Sequence, residues 1–308
     1  MSPLQRPSVG TVIKDRPSQW KLRKHACWLL VAGLLALGII AREHPKSRSR
    51  PAASAESGVA SARPGSPAWR APQVDPRIVR KLGAKTFQVI RTGAMREPGD
   101  AHAFVLSRLE KSRRGDALAT YEIYLAVLDC RAAGTPAELQ NLDAMRTASP
   151  DAGALARIEK RLEECGALLT DADLMAGRWL ERAAEQGSVE AMLMYVVDTE
   201  SIIGGRADFL REPERVVEWR RNALSYLTHA ASLGSVDALL TLARVNEQGV
   251  IVKADPVEAY AYYLAAGQVS PNFAPTELLA PYTSELNAEQ VRLARLRSTQ
   301  IHEACCRP

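Results

Sequence analysis

The stretch "WLERAAEQGSVEAMLMY", Trp179 to Tyr195, is written again as "SYLTHAASLGSVDALLTL", Ser225 to Leu242. In each copy a pair of alanines, Ala183-Ala184 or Ala230-Ala231, leads into Gly-Ser-Val at Gly187 or Gly234. A glycine after a run of Leu and Ala can take the left-handed conformation that ends a helix. The serine that follows, Ser188 or Ser235, is a natural cap for a new helix, and Glu190 and Asp237 favour its positive end. The joint therefore predicts helix, one-residue stop, helix. Ala183 and Ala230 allow close approach of a neighbouring helix, and Ala191 and Ala238, four past each glycine, put a further small residue on the facing turn. A third copy starts at Gly115, with Ala119 four residues on. The glycines are offset by 72 and 47 positions, so insertions sit between the corners. Such self-similarity is the signature of a helical solenoid, in which each unit buries a face against the next; a globular bundle with accidental likeness is the alternative.

The rest of the chain agrees with helix. Only 4 Phe and 8 Tyr occur in 308 residues, against abundant Ala, Leu, Arg and Glu, and strand-type stretches are nearly absent. "GDAHAFVLSRLEKS" and "GDALATYEIYLAVLDC" are candidate helices. Thr170-x-x-Asp173 and Asn287-x-x-Gln290 look like capping starts for two more. The expected organisation is a helical region with a degenerate repeat over 76–169, repeats over 170–283 and a terminal helix over 284–308.

Before residue 76 the character changes. Residues 1–71 carry 12 Lys/Arg and 3 Asp/Glu, while residues 72–308 carry the remaining 28 and 32, a net −4. The basic balance thus belongs to the N-terminal arm, and nucleic-acid binding by the rest is disfavoured for want of a basic face. Residues 1–24 form a basic tail. "CWLLVAGLLALGIIA", Cys27 to Ala41, is free of charge; with His25 and Ala26 it reaches the short end of the length that spans a bilayer. An uncleaved anchor over 25–41 is expected, a cleaved signal being the alternative. Residues 42–75, rich in Pro, Ser, Ala and Arg, read as a disordered tether. Five cations before the apolar run against four after it favour a cytoplasmic N-terminus.

Cys130 and Cys165 each close a helical run, and a bond between them would staple two helices; two separate buried thiols are the alternative. A disulfide would require an oxidising compartment, in agreement with the charge bias. Cys305 and Cys306 lack the second ligand pair of a metal site, so free thiols or a bridge to another chain are expected, with no metal and no cofactor.

"LARVNEQGVIVKADPVEAYAYYLAAG", Leu242 to Gly267, resembles a Sel1-like repeat, a relative of the tetratricopeptide repeat, through Ala238, Leu242, Gly249, Val250, Asp255, Ala259, Tyr262, Tyr263 and Ala266. "WLERAAEQG" resembles the closing segment of the same pattern. Asn246 and Ala243 depart from it, and about eleven extra residues fall within "DTESIIGGRADFLREPERVVEW". The resemblance implies a right-handed α-solenoid of helix pairs that holds a protein or peptide partner. With the anchor, tether and cysteines, it implies a single-pass protein of the bacterial inner membrane, its C-terminal domain in the periplasm, acting as a non-catalytic adaptor.

Trp219, Tyr260, Tyr262 and Tyr263 are candidate contact aromatics, although aromatics at helical spacing also serve as packing. A cell-wall enzyme and a regulator of an inner-membrane partner are the alternatives. Glu163, Glu164, Asp171 and Asp173 are the acidic pairs that catalysis could use. Helix starts and solvated faces account for them without chemistry, and no catalytic residue or small-molecule substrate is expected.

Overall fold

The structure, a computed structural model, describes residues 71–91, 95–148 and 152–307. The anchor segment 25–41 and residues 42–70 of the tether lie outside the described residues. Among the described residues no helix is long and apolar enough to cross a membrane.

A short hairpin comes first: β1 (Val79–Lys81) pairs antiparallel with β2 (Phe87–Val89). Helices follow: α1 (Ala101–Arg113), α2 (Ala117–Ala133), α3 (Pro136–Ala148), α4 (Ala152–Thr170), α5 (Ala172–Ala176), α6 (Trp179–Glu185) and α7 (Val189–Val197). The chain continues through α8 (Thr199–Ile202), α9 (Arg206–Arg211), α10 (Pro213–Ser232), α11 (Val236–Gln248), α12 (Pro256–Val269), α13 (Thr276–Glu285) and α14 (Ala288–Cys305). The principal packing runs in series: α1 on α2, α2 on α6, α6 on α7, α7 on α10, α10 on α11, α11 on α12 and α12 on α14. This is a helical repeat built of pairs, α2 with α6, α7 with α10 and α11 with α12.

Three corners lead into the first helix of each pair, α2, α7 and α11, and all three have the same hydrogen bonds. Gly115, Gly187 and Gly234 have φ of 93°, 106° and 95°. Each donates its N–H three residues back, to Ser112, Ala184 and Ala231. The next residue, Asp116, Ser188 or Ser235, donates five back, to Lys111, Ala183 or Ala230. These paired bonds close a helix around a left-handed residue. The same Asp or Ser side chain then accepts from Ala119, Ala191 or Ala238 and opens the next helix. Ala183, Ala191, Ala230 and Ala238 have no accessible surface, so no larger side chain fits there without displacing a neighbour.

The place of a fourth corner, after α12, holds Val269, Ser270 and Pro271. A β-branched valine resists a positive φ, and α12 closes on Ser270 at φ −157°. The corner series stops there.

Long connections fall at the other ends of the pairs. Residues 134–178, with α3, α4 and α5, join α2 to α6, and residues 198–212, with α8 and α9, join α7 to α10. The latter accounts for the extra residues in the second repeat. In the former, Cys130 and Cys165 are bonded and both buried, with Cα atoms 5.2 Å apart. Beside them lies an ion cluster around a buried arginine. Arg96, its side chain 4% exposed, meets Glu164 at 2.9 Å and Asp129 at 3.3 Å, and Arg161 meets Asp129 at 2.8 Å.

Several expectations are corrected. Residues 79–89 form a hairpin where helix was expected, because three-residue strands are too short to show an alternating pattern. Residues 71–75, assigned to the tether, are packed on the repeats through Gln73. The cap of α5 is Asp171, which accepts from Leu174 N, while Thr170 ends α4. Asn287 and Gln290 do form the reciprocal cap of α14. Cys305 and Cys306 are bonded to each other, neither free nor bridged to another chain.

Candidate interaction surface

The corner edge of the repeats is covered by the chain itself. Residues 73–91, the N-terminal strap, run across all three corners. Gln73 donates its N–H to Gly187 O (2.9 Å) and accepts at its own carbonyl from Val189 N (3.2 Å). Its side-chain oxygen accepts from Ala117 N at the first corner (3.1 Å). At the third corner Phe87 donates its N–H to Gly234 O (3.0 Å). A Cβ on Gly234 would run into the carbonyl of Lys85. The glycines thus serve twice, for the left-handed turn and for the approach of the strap.

The acidic residues one turn into the new helices hold the strap from the other side. Asp237 accepts from Val89 N (2.7 Å) and from the Gln88 amide (3.5 Å). Glu190 takes Arg91 at 3.0 and 3.1 Å, and that guanidinium also lies over the Tyr121 ring. Burial pushes both carboxyls up, against the opposing pull of Arg91 on Glu190 and of the Val89 N–H on Asp237. Sequence reasoning assigned these two residues to the helix dipole alone, and nothing in their spacing announced a strap 99 residues before Glu190 and 148 before Asp237.

The expected contact aromatics lie elsewhere. Trp219, Tyr260 and Tyr263 are buried, and Tyr262 is half-buried. Trp219 donates its indole N–H to Tyr195 O (3.1 Å). Tyr260 stacks on Tyr282 at 5.3 Å between ring centres, and Tyr263 leans on the same ring at 5.9 Å. Three of the four pack helix on helix and present no ring to a partner.

Four of the nine exposed large apolar side chains among the described residues lie on the edge opposite the strap. Val197 ends α7 and is 72% exposed, Leu210 lies on α9 at 87%, Val217 opens α10 at 65%, and Val250 lies in the turn between α11 and α12 at 50%. A helix pair joined by a corner at one end has its other connections at the opposite end, so these four share one edge of the second and third repeats. Isolated exposed leucines and valines are ordinary; four on one edge, three of them in or beside the connection over 198–212, mark a candidate interaction surface. The sequence signal was the extra length itself.

The acidic pairs have structural partners. Glu164 bonds Arg96, which holds its carboxyl below the usual range against the effect of burial. Asp171 caps α5 and meets His102 Nε2 at 3.0 Å; the Leu174 N–H and then His102 lower its carboxyl. Glu163 and Asp173 are exposed. Asp129 lies beside Cys130 and Cys165, a metal-type grouping, but both sulfurs are used in the disulfide.

No protein-family profile matches the chain, and no curated protein matches it. Among solved structures it is similar to a protective antigen present in uropathogenic Escherichia coli strains, displaying an SLR fold, at 19% identity and a TM-score of 0.27. The alignment covers 65% of this chain and 48% of that one, so the chain spans about half the length of the antigen. At that TM-score the likeness carries no argument. The class, a helical repeat protein, rests on the three corners and the serial pairing of helices.

Proposed function

We propose that the chain is a non-catalytic interaction scaffold of Sel1-like helix pairs, anchored by residues 25–41 in the bacterial inner membrane with its repeats in the periplasm. It docks a protein or peptide partner on the edge that carries Val197, Leu210, Val217 and Val250. The observation behind the docking edge is the contrast between the two ends of the repeats: one is closed by the strap, the other displays apolar side chains to solvent. The Cys130–Cys165 bond supports an oxidising compartment.

The test is capture of partners from membranes by the full chain and by a Leu210→Asp, Val217→Asp variant. Loss of partners in a variant with unchanged thermal unfolding is expected. The same partners at the same yield would overturn the docking edge. An alkaline-phosphatase fusion at the domain's C-terminus tests the compartment, and an inactive fusion would overturn the periplasmic reading.

A further inference from the structure

Charge is segregated within the folded part. Residues 76–91 carry Arg77, Arg80, Lys81, Lys85 and Arg91 and no Asp or Glu. Residues 92–308 carry 23 Lys/Arg and 31 Asp/Glu, a net −8. Some helix cations are paired locally, as in Arg114–Glu110, Arg215–Glu212, Arg221–Glu218, Arg292–Glu289 and Arg307–Glu303, while others, such as Lys111, Arg113, Arg220 and Arg295, are exposed on helices that also carry carboxylates. The hairpin differs in having no carboxylate of its own. Arg77 and Arg91 are tied to Asp75 and Glu190. Arg80 donates only to the neutral Gln88, and Lys81 and Lys85 have no carboxylate partner among the described residues. All three are exposed.

We propose that this hairpin is a docking surface for anionic phospholipid headgroups. The inference rests on the anchored reading above. The chain supplies the means of approach: 29 residues, 42–70, separate the apolar segment from the described fold. Fully extended, a chain of that length reaches at most about 100 Å. Attraction between exposed charges fades over about 8–10 Å at physiological salt, so the tether must let the hairpin settle on the headgroups, and it is long enough to do so. The acidic repeats are repelled by the same surface. The hairpin therefore lies against the bilayer with the corner edge behind it, and the apolar edge at the far ends of the helix pairs is turned away, open to a partner.

The experiment uses the full chain in nanodiscs of phosphatidylcholine, with or without phosphatidylglycerol, and reads amide hydrogen exchange over residues 79–89. Slower exchange with phosphatidylglycerol is expected, reversed by 0.5 M salt and absent in Arg80→Glu, Lys81→Glu, Lys85→Glu. Thermal unfolding of the variant checks that its fold is kept. Equal exchange in both bilayers would overturn the proposal. If the chain does not enter nanodiscs, the anchor reading fails separately. Binding to phosphatidylglycerol vesicles, lost in the triple variant, then sustains the lipid surface, and no binding overturns it. Tighter binding of duplex DNA than of those vesicles through the same three residues would also overturn it.

Discussion

Phe87 gives its backbone N–H to the carbonyl of Gly234, 147 positions later in the chain, and Gln73 does the same for Gly187. Two strap residues thus treat two corners alike, through backbone groups that each corner presents in the same way. Pro271, at the equivalent place after α12, has no N–H to offer such a residue.

Gly234→Ala is expected to destabilise the chain more than Gly99→Ala. Both glycines have positive φ, which costs alanine about 1 kcal/mol. A Cβ at Gly99 meets nothing within 4 Å, whereas at Gly234 it meets the Lys85 backbone and must push the strap away. Urea unfolding of the two variants measures the gap; equal losses would show that the strap does not press on the corner.

Gln73→Ala removes one hydrogen bond, to Ala117 N, at a cost of about 1 kcal/mol. Gln73→Pro also removes the N–H that Gly187 O accepts. Hydrogen exchange at Val189 should accelerate in the proline variant and remain near wild type in the alanine one.

The Cys130–Cys165 bond closes a separation of 35 residues, which the chain-entropy account values at about 3–4 kcal/mol. Cys130→Ala with Cys165→Ala should lower the melting temperature. Reductant should lower the wild-type melting temperature by more than it lowers that of the double variant, and equal shifts would assign the effect to another bond.

Glu190 is raised by burial, with Arg91 opposing. The folded chain then holds that proton more tightly than the unfolded one. The resulting stability is full below the ordinary carboxylate range, about pH 4, and is lost as the pH rises through the folded value. Glu190→Gln cannot titrate. The difference in unfolding free energy, wild type minus variant, should therefore fall between pH 4 and 8. A difference that rises would show that the Arg91 pair outweighs burial.

Trp219→Ala empties a buried site and leaves Tyr195 O without its donor, a loss of about 3–5 kcal/mol. At a temperature where the variant is still folded it should capture the same partners as wild type. Loss of partners there would restore Trp219 to the contact surface.

The corners were legible because their physics is local. A left-handed glycine, a cap one residue on and an alanine three past the cap all lie within a few positions, and the third copy was found although Asp116 replaces serine. The Cys130–Cys165 pair was legible from helix ends. The strap was not, because Gln73, Phe87 and Arg91 pair with residues far along the chain, and three-residue strands leave no period to read. The aromatics misled for a related reason: a ring at helical spacing looks the same whether the next helix covers it, as Tyr282 covers Tyr260, or a partner does. The apolar edge was half-legible, as extra length without the knowledge of which side chains it exposes.

The strap also has a place in time. As the chain is made, residues 73–91 emerge before any corner exists, and Asp237, which holds Val89, follows 148 residues later. Contacts so distant in sequence form late, after the local helix pairs. The first part of the described chain to be synthesised is thus the last to settle, and a chain stalled before Gly234 would carry its hairpin with nowhere to seat it.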